Sequence, residues 1–248
     1  LKRLKFGQNI RSDGPSRHLQ KAGTPTMGGI IFLTGILAGG LIIAWDHPDL
    51  LAVLIMVVGY GLIGFLDDYI KVIKKRSLGL RAYQKIIGQL VLAGALAYYA
   101  YTNEYIGSSL ILPFTGREWD PGIFYIPVTV FVIIGTVNSV NLTDGVDGLC
   151  AGVTLIVSAT LSIILFSVCQ KQQQLTYLAH NYRNLLVFSS ALTGVCLGFL
   201  RYNTHPAQVI MGDTGSFGLG GAVAAISILL RIPLWLPIIG GIYMAESL

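Results

Sequence analysis

Apolar residues run without alternation through 27–44, 50–66, 86–101, 123–137, 149–168, 185–200, 217–230 and 234–244. In lipid every backbone N–H and C=O group must be paired within the protein, so only helices and closed barrels carry such runs across a membrane. Barrel strands alternate apolar and polar side chains. These runs do not, and the expected fold is all-α: a polytopic transmembrane helical bundle with eight helices. Charged residues make up 12% of the chain, about half the share of a soluble domain, and residues 1–248 read as a single integral-membrane domain. Several runs fall short of the about 20 residues that a span needs, so their ends should reach into the flanks.

Eight crossings sort the connections onto two faces. One holds 1–26, 67–85, 138–148 and 201–216; the other holds 45–49, 102–122, 169–184 and 231–233. Of the 17 lysines and arginines, 13 fall on the first face and 4 on the second, which makes the first face cytoplasmic by the positive-inside rule. The net charge of +5 thus reports membrane orientation, and nucleic-acid binding is not needed to explain it. Cys150, Cys169 and Cys196 lie in or beside apolar runs and read as small core residues rather than a disulfide framework.

The acids have their own pattern. Asp13, Asp67, Asp68, Asp144, Asp147 and Asp213 all lie on the cytoplasmic face, and five of the six touch a helix end. Carboxylates near the hydrocarbon boundary are costly unless they face partners or a polar cavity. The runs starting at 27, 86, 149 and 217 turn their N-termini, the positive ends of their dipoles, to the same face. Thr24-Pro25 has the chemistry of an N-cap followed by a first-turn proline, and Asp144 and Asp213 stand just before their helices, where a carboxylate can cap. Capping alone would account for either. Yet NLTDGVDG (141–148) holds more polar groups than one cap uses, and its glycines let a ligand approach the backbone. Positive helix ends among many cations suit an anionic, phosphorylated ligand. Carboxylates mixed in suit a divalent cation, since Mg²⁺ takes one or two protein carboxylates together with phosphate oxygens.

In GFLDDYIKVIKK (64–75) the paired acids sit at the negative end of the second helix, with Lys71, Lys74 and Lys75 one or two turns on. Adjacent helical residues point about 100° apart, so Asp67 and Asp68 are not expected to chelate one ion together. One would ligate metal or act as a base while a lysine holds the other; an acid–lysine network without ligand is the alternative. On the opposite face Asp46, Asp49, Glu104, Glu118 and Asp120 are expected in water-accessible loops. Gly218 to Gly220 opens like a dinucleotide fingerprint, but it lies in an apolar helix with no preceding strand, and close helix packing explains it better. Gly35 and Gly39 are read as packing glycines too. The four histidines show no zinc-ligand spacing, and His205 reads as a loop-stabilising residue.

Assembled, KAGTPTMGG (21–29), FLDDYIKV (65–72), NSVNLTDGVDGL (138–149) and MGDTGS (211–216) resemble, in order, the motifs of the bacterial phospho-N-acetylmuramoyl-pentapeptide transferase family. TPTMGG separates that branch from relatives that transfer N-acetylhexosamine 1-phosphate. The resemblance implies a Mg²⁺-dependent reaction at the cytoplasmic face of the bacterial plasma membrane. UDP-MurNAc-pentapeptide and undecaprenyl phosphate, a membrane lipid, would give lipid I and UMP in peptidoglycan synthesis. It also implies ten transmembrane helices, of which the first, the last and a late histidine-bearing loop would lie outside this chain. A homodimer is expected.

Carried over by position, Lys21, Thr26, Asn141, Asp144 and Gly145 would contact the uridine and pyrophosphate, with Asp147 in support. Asp213 would ligate Mg²⁺ with Asn203 close by. Asp67 would deprotonate or hold the lipid phosphate with Asp68 beside it, and Lys71 and Lys85 would neutralise phosphate. Ile210 stands where an aromatic stacking on uracil is expected. A sister transferase using a UDP-N-acetylhexosamine would share the metal site and differ at the sugar contacts. A cation-coupled transporter would need mid-helix polar residues and inverted repeats; here the acids cluster at one face and no repeat is evident.

The orientation is open to a direct check. In a cysteine-free background, cysteines placed at Ser77 and Asn141 should label from the cytoplasm and one at Ser108 from outside; labelling of Ser77 from outside would reverse the topology.

Overall fold

The computed structural model describes residues 24–44, 47–73, 79–171 and 177–247. Among these residues the helices are α1 (Gly29–Ala44), α2 (Pro48–Ile73), α3 (Ala82–Thr102), α4 (Tyr125–Thr143), α5 (Leu149–Lys171), α6 (Tyr177–Asn203), α7 (Gly212–Leu229), α8 (Leu236–Ile239) and α9 (Gly241–Ser247). Four segments among the described residues are long and apolar enough to cross a membrane: Pro48–Val72, Gly122–Thr143, Leu149–Lys171 and His180–Asn203. Large apolar side chains such as Val91, Phe131, Ile163 and Leu197 are exposed on the outside of the bundle. Such a belt suits lipid rather than water. The chain is a multi-pass membrane protein.

Several helices outrun their apolar runs, and in three of them the extension carries side chains that find partners. α2 continues past residue 66 through Asp67 and Lys71, an (i, i+4) ion pair with N···O 2.6 Å. α3 begins at Ala82 rather than 86, which brings Lys85 into its first turns. α4 continues six residues into NSVNLT, so Asn138 and Asn141 sit on helix, not in a loop. Their side chains find partners on other helices, and Asn138 also donates to Ile134 O of its own helix at 2.8 Å. The last expected helix, 234–244, is instead broken in two at Gly240, whose N–H closes on Leu236 O at 2.7 Å. Thr24-Pro25 caps nothing: α1 starts at Gly29, and Pro25 O instead accepts the Ile210 N–H at 2.8 Å.

α7 is the axis of the bundle. Every residue of it except Asp213 is buried, and it packs against α1, α2, α3, α4 and α5. A helix apolar all round is one enclosed by others, and here small residues set how closely they approach. A Cβ on Gly220 would stand 2.8 Å from Val137 Cα, and one on Gly221 3.0 Å from Met56 O. A Cβ on Gly64 of α2 would run into the Asp213 backbone, and one on Gly29 into Gly215. The expectation for 218–220 therefore holds. That for Gly35 and Gly39 does not: no described atom lies within 4 Å of either Cβ position. On the far side of the bundle a short hairpin pairs Leu110–Ile111 with Glu118–Trp119. Asp49 there is not in a water-filled loop; it is 5% exposed and accepts a 2.6 Å hydrogen bond from Tyr99 Oη.

Packing around α7 makes a contrast measurable. Gly220→Ala should lower stability by about 1–3 kcal/mol by overpacking, whereas Gly35→Ala should stay within about 0.5 kcal/mol of wild type. Thermal melting of both variants in one detergent compares them.

Candidate active site

Four helix ends converge where α7 begins: the C-termini of α2 and α4 and the N-termini of α3 and α7. α2 brings Asp67, Asp68 and Lys71, α3 brings Lys85, α4 brings Asn141 and α7 brings Asp213. Asp67 is fully buried. Its Oδ1 accepts the Leu80 N–H at 2.7 Å and lies 3.0 Å from Lys85 Nζ, while Oδ2 lies 2.6 Å from Lys71 Nζ. Both ammonium groups also reach Asp213 Oδ2, at 3.0 Å from Lys71 and 3.1 Å from Lys85. Asn141 Nδ2 donates to the other oxygen of Asp213 at 3.1 Å and to Ser216 Oγ at 2.8 Å.

Asp68 turns away from the lysines. Its carboxylate accepts the Asp213 and Thr214 N–H groups, at 3.2 and 2.8 Å, and the Thr214 hydroxyl at 2.7 Å. It is thus the cap of α7, supplied by a neighbouring helix, and it meets the positive end of that dipole. Asp213 was expected to be able to cap this helix. It is instead the second residue of α7, with its carboxylate given over to Lys71, Lys85 and Asn141. Asp144, expected before α5, is the C-cap residue of α4.

One carboxylate oxygen from each of Asp67, Asp68 and Asp213 lies within 4.8 Å of the others. Asp67 and Asp68 do diverge as helix geometry requires, but Asp213 stands between them and closes the set. The donor set is all oxygen, which suits a hard divalent cation. Three carboxylates against two ammonium groups leave one negative charge over, and a divalent ion would turn that into a positive one facing phosphate.

The other expected residues form an adjoining platform. Asn203 is 3% exposed; it accepts the Gly148 N–H at 3.1 Å and donates to Val209 O at 2.9 Å, joining the 144–148 turn to the loop after α6. Asp147 Oδ2 lies 3.2 Å from both His205 Nδ1 and the Ala207 N–H, so His205, expected in a loop-stabilising role, does contact the neighbouring 144–148 turn. Asp144 and Gly145 lie on the same turn, outside the three-carboxylate group. Thr26 is buried, in a segment held by Gly28 N–H to Ile210 O and Gly29 N–H to Met211 O, both 2.9 Å. Ile210 thus serves through its backbone as a rung between that segment and α7. Lys21 lies outside the described residues.

Some contributors were not foreseen. Thr214 and Ser216 stand inside the MGDTGS motif, beside the acid that drew attention to it. Gly79 has φ +58°, and a Cβ on it would collide with the Asp67 carboxylate. Only glycine lets that backbone close over the acid and present the Leu80 N–H.

The chain is similar to known proteins. A family model for glycosyl transferase family 4 matches residues 50–231, and the phospho-N-acetylmuramoyl-pentapeptide-transferase signature 1 matches 21–33. Proteins named phospho-N-acetylmuramoyl-pentapeptide-transferase are similar over the whole chain and 74–75% of their own length. Those from Thermoanaerobacter sp. strain X514, Clostridioides difficile strain 630 and Clostridium kluyveri strain ATCC 8527 are 51%, 50% and 47% identical. The matched family segment contains all three clustered carboxylates and both lysines, and the signature contains the strip that docks beside Ile210. The chain belongs to glycosyl transferase family 4, in its phospho-N-acetylmuramoyl-pentapeptide-transferase branch.

Proposed function

We propose that the protein transfers phospho-MurNAc-pentapeptide from UDP-MurNAc-pentapeptide to undecaprenyl phosphate, giving lipid I and UMP at the cytoplasmic face of the plasma membrane. The observation that carries this is the convergence of Asp67, Asp68 and Asp213 with Lys71 and Lys85 at one end of the bundle. The signature match at 21–33 supports the MurNAc-pentapeptide branch over a hexosamine one. The alternative of a cation-coupled transporter has no support from the family match.

An oxygen of the lipid phosphate attacks the phosphorus bonded to the sugar. A new P–O–P link forms, the bond to the uridine-bearing phosphate breaks, and UMP leaves with the bridging oxygen. The attacking group needs little activation, because a phosphate monoester is mostly dianionic near pH 7. Asp67 therefore acts chiefly by holding charge in place: its oxygens already face Lys71, Lys85 and the Leu80 N–H. Lys71 and Lys85, each shared between two acids, can turn to incoming phosphate oxygens without leaving the site. Asp68 keeps the N-terminus of α7 fixed beside them. Asp144, Gly145 and Asn141, with Thr26 and Lys21, would bind the uridine and pyrophosphate on the adjoining platform, which Asp147 and Asn203 brace. Mg²⁺, held by Asp213 with Asp67 and Asp68, would supply Lewis-acid charge neutralisation, the main requirement in phosphoryl transfer.

Two variants separate these roles. Asp213→Asn should leave the protein folded, with a lowered melting temperature from the loss of two ion pairs, while lowering Mg²⁺-dependent lipid I formation roughly a thousandfold. A folded variant with near wild-type turnover would place the metal elsewhere. Asp144→Asn should weaken binding of the UDP substrate by about 1–3 kcal/mol through a mismatched hydrogen bond and leave lipid-phosphate binding unchanged. Equal loss for both substrates would make Asp144 a structural residue. Assaying wild type with UDP-MurNAc-pentapeptide and with UDP-N-acetylhexosamines tests the branch itself.

A further inference from the structure

Below the charged cluster lies a second polar layer that the chemistry so far leaves unused. Gln89 of α3 is fully buried. Its side chain and that of Asn138 on α4 exchange amide hydrogen bonds in both directions: Asn138 Nδ2 to Gln89 Oε1 at 2.7 Å, and Gln89 Nε2 to Asn138 Oδ1 at 3.3 Å. Asn138 also donates to Ile134 O at 2.8 Å. From α2, the buried Tyr60 hydroxyl donates to Gln89 O at 3.1 Å. Glycines let these helices close: a Cβ on Gly59 would meet Leu92 Cδ2 at 2.7 Å, and one on Gly88 would meet Ile63 Cδ1 at 3.0 Å.

Each member of this layer sits a whole number of turns below a member of the site. Gln89 is four residues from Lys85, Asn138 three from Asn141 and Tyr60 seven from Asp67. These offsets correspond to about 6, 4.5 and 10.5 Å along the helices and keep each pair on one helix face. Lys85 and Asn141 grip opposite oxygens of Asp213. Sliding α3 against α4 would therefore pull one of them off. Apolar packing resists sliding too, but it carries no direction and tolerates repacking. A reciprocal amide pair has one register in which all its hydrogen bonds are made, and slipping strands polar groups away from water.

We infer that Gln89 is a positioning residue for the transfer reaction: its clasp with Asn138, seated on Tyr60, sets the axial register of α3 against α4 so that Lys85 and Asn141 both reach Asp213. The inference rests on the transferase reading of the site. Gln89 touches no reacting group and acts through Lys85 and Asn141.

The test is a set of variants in the full chain: Gln89→Leu, Asn138→Leu, the double leucine variant and the exchange Gln89→Asn/Asn138→Gln. Melting temperature, kcat and the KM for UDP-MurNAc-pentapeptide are measured for each. Either single leucine strands an amide and should lower both stability and kcat. The double variant removes both polar groups and should recover its melting temperature. Its kcat should nevertheless remain about ten- to a hundredfold low, as for an ångström-scale misplacement, with KM changed less than about threefold. The exchange keeps every polar group and should turn over within about fivefold of wild type on the same scale. A double variant whose kcat recovers along with its melting temperature would overturn the inference, because the clasp would then be only structural. So would a rise in KM with kcat unchanged, which would mean Asn138 touches substrate. If the leucine pair does not fold, the exchange decides, and a folded but inactive exchange variant overturns the inference. Wild type that forms no lipid I would instead refute the transferase reading, which keeps the two failures apart.

Discussion

The bundle is organised around a cap that comes from the wrong helix. Asp68 of α2 accepts both backbone N–H groups and the hydroxyl at the start of α7, which fixes the N-terminus of the buried central helix against α2. With that end fixed, Asp213 is presented to the lysines. Three carboxylates so close would repel: at an effective dielectric of about 20, two like charges about 5 Å apart cost about 3 kcal/mol. The opposite pairs, about 3 Å apart, each return about 5 kcal/mol on the same scale before water screens them. Lys71 and Lys85 therefore hold the acids together, and the acids hold four helix ends together.

Close packing makes this arrangement possible. Asp213 lies where it does because Gly64 lets α2 approach the backbone of α7, and the strip 25–29 reaches the same place because Gly29 meets Gly215. Backbone against backbone leaves little room for adjustment, since packed interiors transmit displacement rather than absorb it. The platform of Asp147, Asn203 and His205 is held differently, by hydrogen bonds between two loops. A close-packed charged centre beside a loop-built platform suits a site that must grip a phosphate and also admit a large substrate.

Much of this was legible in the residues. Unbroken apolar runs could only be helices, and counting the crossings puts FLDD, NLTDGVDG and MGDTGS on one face. The misses share one cause: a residue whose partner comes from another helix cannot be read from its own neighbourhood. NSVNLT looked like a loop because the cross-helix partners of Asn138 and Asn141, which are Gln89, Asp213 and Ser216, lie far away in sequence. Asp213 looked like a possible cap because capping is the local use of an acid at a helix start, and the actual cap lies 145 residues away. Asp49 looked exposed because Tyr99, which covers it, is 50 residues on. Gly35 and Gly39 have packing spacing but face no described neighbour, whereas Gly79 carries no motif and is indispensable to the geometry at Asp67.

Three carboxylates whose charge two lysines only partly balance suit one hard cation. Mn²⁺, a spectroscopic substitute for Mg²⁺ at all-oxygen sites, reports this directly. Electron paramagnetic resonance of the purified protein should show one bound Mn²⁺ per chain, competed by Mg²⁺, lost in Asp67→Asn and retained in Asp144→Asn. Stoichiometric Mn²⁺ binding that survives Asp67→Asn but disappears in Asp144→Asn would put the metal on the loop platform and contradict the account.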